Sequence, residues 1–254
     1  MNNFKELKEH YFKKGWVVCK KLFSLKEINS VNLIINDFLK KKIHLTNKKT
    51  RAINFTDNEG INFENINSFH DLAQCKEIRN FAKKKKVLNA AKIFLNSDPE
   101  FRFCELFAKP ARTGLPSPDH QDNYYWGIKG SNALTFWIAL DSSNKKNGCV
   151  HYYDGSHKYG ILRHEASFAK GSSQKVSDTN FLKKFKISYP ELEPGDVLLH
   201  HSLVVHGSLK NNSKNNRRGW TIQFKDKSAS YDFKQIKNYE KSLNNQIQSR
   251  TQSY

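Results

Sequence analysis

Sulfur, acidic side chains and long apolar runs are all scarce in this chain of 254 residues. The four cysteines, Cys19, Cys75, Cys104 and Cys149, stand far apart with no C-x-x-C pair. That spacing argues against a disulfide scaffold or a cysteine zinc finger and for a reducing compartment. No stretch approaches the roughly 18 uninterrupted apolar residues of a membrane span. Met1 to Lys14 is charged and lacks the apolar run of a secretory signal, so a soluble, cytoplasmic protein is expected. Internal repeats and linker-like stretches are missing too, which fits one large domain.

What is abundant is positive charge. Lys and Arg number 43 against 24 Asp and Glu, a formal net charge of +19. Clustered cations could neutralise phosphates of a nucleic acid. Here they are mostly lysines dispersed through Asn- and Ile-rich sequence, as a compositional bias would leave them. The longest run, Lys83 to Lys86, reads as a solvated helix face. A pocket for a small anion needs only a few of these charges.

Apolar spacing divides the chain. Gly15 precedes a short strand at Trp16–Cys19, and Ser24 with Glu27 forms a capping box before a helical pattern at Leu25, Ile28, Val31, Ile35, Phe38 and Leu39. Residues 40–68 are polar, with loops and short strands expected. A helix is predicted over about 75–95. From Phe101 the period becomes two, and strands are predicted over 101–109, 133–140, 149–153, 197–199, 203–205 and 220–224. Residues 163–183 read as a long polar loop and a possible lid; the tail after Ser228 reads as helical with a frayed end. Helices first and short strands later predict a double-sheet β-core with helices packed outside.

His120 and Asp122 at i and i+2 would share one face of an extended strand and could share an ion. His206 offers a second imidazole at the end of the apolar run. Two histidines and one carboxylate make a facial triad that leaves three positions of an Fe(II) octahedron open. Arg217, eleven residues on, could grip the far carboxylate of a keto acid. Taken singly, His206 reads more readily as a core histidine and Arg217 as a surface charge; the ordered set of four does not.

At this point the sequence resembles the phytanoyl-CoA dioxygenase (PhyH) family of Fe(II)/2-oxoglutarate oxygenases. The motifs are Lys109-Pro110 through His120-Gln121-Asp122, then Trp137 to Asp141, Asn147-Gly148-Cys149 and Gly155-Ser156-His157-Lys158. Pro194-Gly195-Asp196, His201, His206-Gly207-Ser208, Asn211 or Asn212, and Arg217 close the set. Gly15 to Val18 and Leu22-Phe23-Ser24 suit the family's opening, so the resemblance spans about 10–225. It implies a mainly β fold with flanking helices, a double-stranded β-helix (jelly-roll, cupin-like) core. A helical part is expected over about 1–98, the core over about 99–226 and a helical tail over 227–254.

The resemblance further implies iron held by His120, Asp122 and His206. The 2-oxoglutarate would lie on Arg217 and the Ser208 hydroxyl, with Thr135, Trp137 and Lys109 also at the co-substrate. Arg217 is favoured over Arg218 by spacing, unless a one-residue bulge intervenes. Asn123, Tyr124, Tyr125 and Trp126 are expected near substrate or, equally, packed under a loop. Lys109, Arg112, Lys129, Arg163 and His164 are candidates for a positive rim, and Arg163 and Arg218 for substrate contacts. His157 reads as structural, and His200 and His201 yield to His206 as ligand. The reaction implied is hydroxylation of a substrate C–H bond with O₂, releasing succinate and CO₂. Halogenating relatives lack the carboxylate, so Asp122 favours hydroxylation.

The expected substrate is a small anionic metabolite. The Asn-Tyr-Tyr continuation makes an organophosphonate one candidate, because some similar enzymes hydroxylate such compounds. Two alternatives are a cupin-like metal protein without 2-oxoglutarate and a nucleic-acid-directed demethylase. Demethylases usually carry a second arginine six residues after the first, where Gln223 stands here.

Overall fold

The computed structural model describes residues 4–43, 53–56 and 63–251. The chain opens with α1 (Phe4–Lys14), β1 (Trp16–Cys19) and α2 (Leu25–Ile43). The capping box forms: Glu27 N–H donates to Ser24 Oγ at 3.3 Å, and Ser24 N–H donates to Glu27 Oε2 at 2.9 Å. Within the polar stretch 40–68 lie β2 (Ile53–Phe55) and β3 (Ile66–Phe69), while 44–52 and 57–62 fall outside the described residues.

The helix expected over 75–95 is two, α3 (Lys76–Ala82) and α4 (Lys85–Leu95). The break is at Lys84, whose backbone is extended (φ −60°, ψ 142°). Lys84 and Lys86 turn back to Glu27 at 2.9 and 2.6 Å, so part of the expected solvated face ties α4 to the start of α2.

Then follow β4 (Pro99–Lys109), β5 (Ser117–His120), α5 (Asp122–Trp126), β6 (Ala133–Ala139), β7 (Val150–Tyr153), β8 (His164–Ala169) and β9 (Ser172–Val176). The chain continues through α6 (Thr179–Leu182), β10 (Ile187–Ser188), β11 (Val197–His201), β12 (His206–Ser208), β13 (Arg217–Asp226) and α7 (Phe233–Thr251). Seven strands form one sheet in the order β1-β11-β6-β13-β4-β3-β2, and four form a second, β10-β7-β12-β5. Neighbours pair antiparallel throughout. The first residues are thus not helices alone: β1, β2 and β3 complete the edges of the large sheet.

Period-two alternation sorts the large sheet's side chains. Phe136 and Ile138 of β6 and Trp220, Ile222 and Phe224 of β13 pack with Ile28, Ile35 and Phe94 of the helices. The residues between them point the other way, where Trp137 and Leu198 meet Val150 and Tyr152 of the small sheet. Two antiparallel sheets facing across an apolar layer, with helices on the outside of one, are the mainly β jelly roll expected.

Two predicted segments differ. Residues 163–183 form a hairpin, β8 with β9, followed by α6, and Ser172, Ser173 and Gln174 are buried. Polar composition there reflects hydrogen bonding against neighbouring elements rather than a loop. Leu203–Val205 is a turn, not a strand, and His206 begins β12. These three residues are apolar because the chain crosses there from the large sheet to the small one, and all three are buried. Among the described residues no helix is long and apolar enough to cross a membrane.

Candidate active site

Antiparallel pairing of β5 with β12 sets His120 opposite His206. The strand expected through 120–122 stops at His120; Gln121 is extended (φ −117°, ψ 129°) and Asp122 opens α5. Gln121, between the two candidate ligands, fixes this change of direction. Its buried amide donates to the carbonyls of Gly160 and Leu203 at 2.8 and 2.6 Å and accepts from Leu162 N–H at 2.8 Å. Ligand atoms of His120, Asp122 and His206 all lie within 4.8 Å of one another. Asp122 Oδ1 is 3.8 Å from His120 Nε2 and 3.7 Å from His206 Nε2.

The donor set fits a divalent metal. His120 Nδ1 lies 2.7 Å from the Pro118 carbonyl and His206 Nδ1 3.1 Å from that of Val204. A carbonyl can only accept, so each Nδ1 carries the proton and each Nε2 presents a lone pair. Burial lowers both imidazoles below their ordinary value, which keeps them neutral. Burial alone would raise Asp122, but His206, His200 and His120 hold its carboxyl below the usual carboxylate range.

Asp122 Oδ2 is braced separately, by Thr135 Oγ1 at 2.8 Å and His200 Nε2 at 3.1 Å. Thr135, expected at the co-substrate, is placed against the carboxylate. His200 in turn meets the Tyr152 hydroxyl at 2.8 Å through Nδ1, and Tyr152 stacks on His206 with ring centroids 5.8 Å apart. Sequence reasoning missed the bracing roles of His200 and Tyr152. What places them is the β6–β11 register, which sets His200 beside Thr135 on the inner face and is not legible in either segment alone.

Farther along the same interior, Arg217 and Lys109 are cross-strand partners. Both are buried, at 2% and 4% exposure, and among the described residues neither forms an ion pair. Arg217 donates to the Gly148 carbonyl through Nε (3.2 Å) and Nη2 (2.7 Å), and lies 5.2 Å from the Trp137 ring. Burial lowers it to about 10. Lys109 Nζ donates to the Leu115 carbonyl; burial, then the charge of Arg217, push it well below its ordinary value. Two desolvated cations side by side suit a carboxylate. Ser208 is buried on β12, opposite Val150. Gly219 is required: a Cβ there would lie 2.0 Å from the Trp137 ring.

Arg218 points away and clamps Asp141, with Nε and Nη2 each 2.8 Å from a carboxylate oxygen. The buried amide of Asn123 is engaged with the backbone of Ile128 in both directions, at 3.0 and 3.1 Å. Tyr124 stacks on His164 at 4.1 Å. Tyr125 sets its ring 5.5 Å from that of His120 while its hydroxyl reaches Ser172 and Gln174. Trp126 lies under the Arg102 guanidinium at 4.6 Å. Arg163, Arg112 and Lys129 are exposed, and the rings of His157 and His201 lie 5.4 Å apart.

The chain is similar to known proteins over most of its length. A family model described as phytanoyl-CoA dioxygenase (PhyH) matches residues 11–219. The chain is 24% identical over 234 residues to a peroxisomal phytanoyl-CoA dioxygenase of Bos taurus, covering 89% of this chain and 69% of the relative. It is 27% identical over 229 residues to a probable alpha-ketoglutarate-dependent hypophosphite dioxygenase of Stutzerimonas stutzeri, covering 85% and 76%. The solved structure of EctD from S. alaskensis with 2-oxoglutarate and 5-hydroxyectoine superposes with a TM-score of 0.73 at 18% identity, covering 91% and 78%. The non-heme alpha ketoglutarate dependent carbocyclase SnoK from nogalamycin biosynthesis gives 0.71 at 20%, covering 89% and 85%.

Proposed function

This chain belongs to the phytanoyl-CoA dioxygenase (PhyH) family of iron- and 2-oxoglutarate-dependent oxygenases, and from that premise we propose that it hydroxylates a small anionic substrate at a site built on His120, Asp122 and His206. The observation that carries the assignment of ligands is the convergence of two Nδ1-protonated, neutral histidines on one braced carboxylate.

Bound iron with 2-oxoglutarate and O₂ supplies oxidative decarboxylation, placing one oxygen atom in succinate and the other in the hydroxylated product, with CO₂ released. The chain's own residues do the rest. His120 and His206 present Nε2 and keep their protons on Nδ1, and Asp122 presents Oδ1 while Thr135 and His200 restrain Oδ2. Arg217 and Lys109 receive the distal carboxylate of 2-oxoglutarate, and the Trp137 ring over Gly219 gives Arg217 an apolar wall. Tyr125, held by the β8–β9 hairpin, limits access of water beside His120.

A phosphorus oxyanion, an organophosphonate first, is the favoured substrate. The basic excess and the hypophosphite dioxygenase among the relatives support it. The test is succinate release with Fe(II), ascorbate, O₂ and a panel of phosphonates, carboxylates and acyl-CoA thioesters. Succinate formation stimulated by a phosphonate is the expected result; none above background with any acid would defeat the reading.

A further inference from the structure

β4 and β13 run in register until Gln223, which faces Phe103; the next residue, Phe224, faces Phe101. Arg102 is the extra residue of a β-bulge. Alternation without the bulge would send its side chain the way of Cys104 and Leu106, into the apolar layer under the helices. The bulge turns it inward instead, while Phe101 packs against that layer.

Two contacts fix where the guanidinium arrives. Its Cζ lies 4.6 Å from the ring of Trp126, four residues beyond Asp122 on the same short helix. Its Nη1 donates to Gln223 Oε1 at 3.1 Å, and Gln223 is the cross-strand neighbour of Thr135, which braces Asp122. Both routes lead to the metal ligands. Gln223 is itself held, because its Nε2 donates to Glu105, whose other oxygen lies 2.6 Å from His70 Nδ1. Both oxygens of Glu105 are thus engaged elsewhere. Among the described residues Arg102 forms no ion pair, and its buried Nε makes no hydrogen bond. A buried guanidinium N–H left without an acceptor is costly, and it persists where a ligand supplies one.

We infer that the Arg102 guanidinium, set by the bulge and held between Trp126 and Gln223, binds the oxyanion head group of the substrate. The inference deepens the proposed function and rests on its placement of the metal ligands. A phosphonate, sulfonate or carboxylate would accept from Nε and the free edge of the guanidinium. The aromatic face below and the Gln223 amide beside it fix the plane of the fork.

Anaerobic protein loaded with Fe(II) and 2-oxoglutarate is titrated with methylphosphonate, methanesulfonate and propionate, reading heat of binding and the visible absorption of the loaded centre. At least one anion is expected to bind, with the affinity falling tenfold or more in Arg102→Gln. Arg102→Lys, which keeps charge but loses the planar fork, and Trp126→Leu are expected to weaken it less. Lys183→Gln removes the same charge from an exposed position and is expected to leave it within twofold. Circular dichroism and a thermal melt establish that each variant is folded. Equal affinity in folded Arg102→Gln and the parent overturns the inference, as does an equal loss in Lys183→Gln. If no anion binds while 2-oxoglutarate is still converted to succinate, the inference falls and the oxygenase reading stands. Arg102-dependent binding without any succinate formation supports the anion site and defeats the oxygenase reading.

Discussion

Asp122 Oδ1 faces two imidazole nitrogens while Oδ2 accepts from Thr135 and His200, so one carboxylate is both a proposed ligand and the end of a hydrogen-bonded chain reaching Tyr152. Asp122→Ala is expected to abolish product and release iron in an equilibrium dialysis measurement. His200→Leu should keep the three ligands yet weaken iron retention by roughly 10–100-fold, the usual effect of losing a residue that orients a ligand. At the other end of the site, Arg217→Ala is expected to raise the 2-oxoglutarate requirement by roughly 10–100-fold, from the loss of charge-assisted hydrogen bonds. Arg218→Ala should leave it within about twofold, because a partly exposed pair with Asp141 contributes little. The reverse outcome would place the β13 register off by one.

Lys109 adds a pH dependence whose sign is fixed. Burial, reinforced by Arg217, lowers its folded pKa, so the unfolded chain binds more protons between that value and the ordinary one. The ligand-free protein therefore gains stability as pH rises through that window. A carboxylate beside Lys109 favours the charged form, so 2-oxoglutarate affinity should fall over the same range. Calorimetry in buffers of differing ionisation enthalpy should show proton uptake on binding, and Lys109→Met should remove it.

Among the elements, α7 is the helix expected after Ser228, and it packs against the site's own elements. Gln235 donates to the carbonyls of Asn123 and Tyr124, Tyr239 meets Tyr125 edge-on at 5.1 Å, and Ser242 accepts from Gln174. The helix thus clasps α5, which carries Asp122, and the β8–β9 hairpin. Removal of residues 233–254 is expected to lower iron affinity more than it lowers the thermal midpoint. Its pattern reads as polar from sequence because Lys, Asn and Gln dominate it, and several of its contacts are amide and hydroxyl hydrogen bonds. β6 hides its faces in another way: Ala133–Ala139 is buried on both sides, so no period distinguishes Thr135 and Trp137 from Leu134 and Phe136. The capping box of α2, by contrast, was readable because its partners are three residues apart.

At the scale of the whole molecule, the triad joins the small sheet to the helix that follows it, and occupation should stabilise the fold. Iron at about 100 times its dissociation constant would add about 2.7 kcal/mol. That corresponds to a thermal midpoint higher by roughly 5–10 °C at this size. A chelator should reverse the shift, and Asp122→Ala should not show it.

By itself the sequence pointed to a double-sheet β-core, because turn residues and period-two strands are local patterns, and its ordered motifs carried the resemblance that implies the jelly roll, the family and its oxygenase chemistry. The tertiary structure alone decided that His200 and Tyr152 stand behind the carboxylate, that Arg218 turns to Asp141 and that Arg102 faces inward. Each of those depends on which distant strand lies alongside and on a single bulged residue. Register and bulges are set by the packing of both sheets together, not by any one segment.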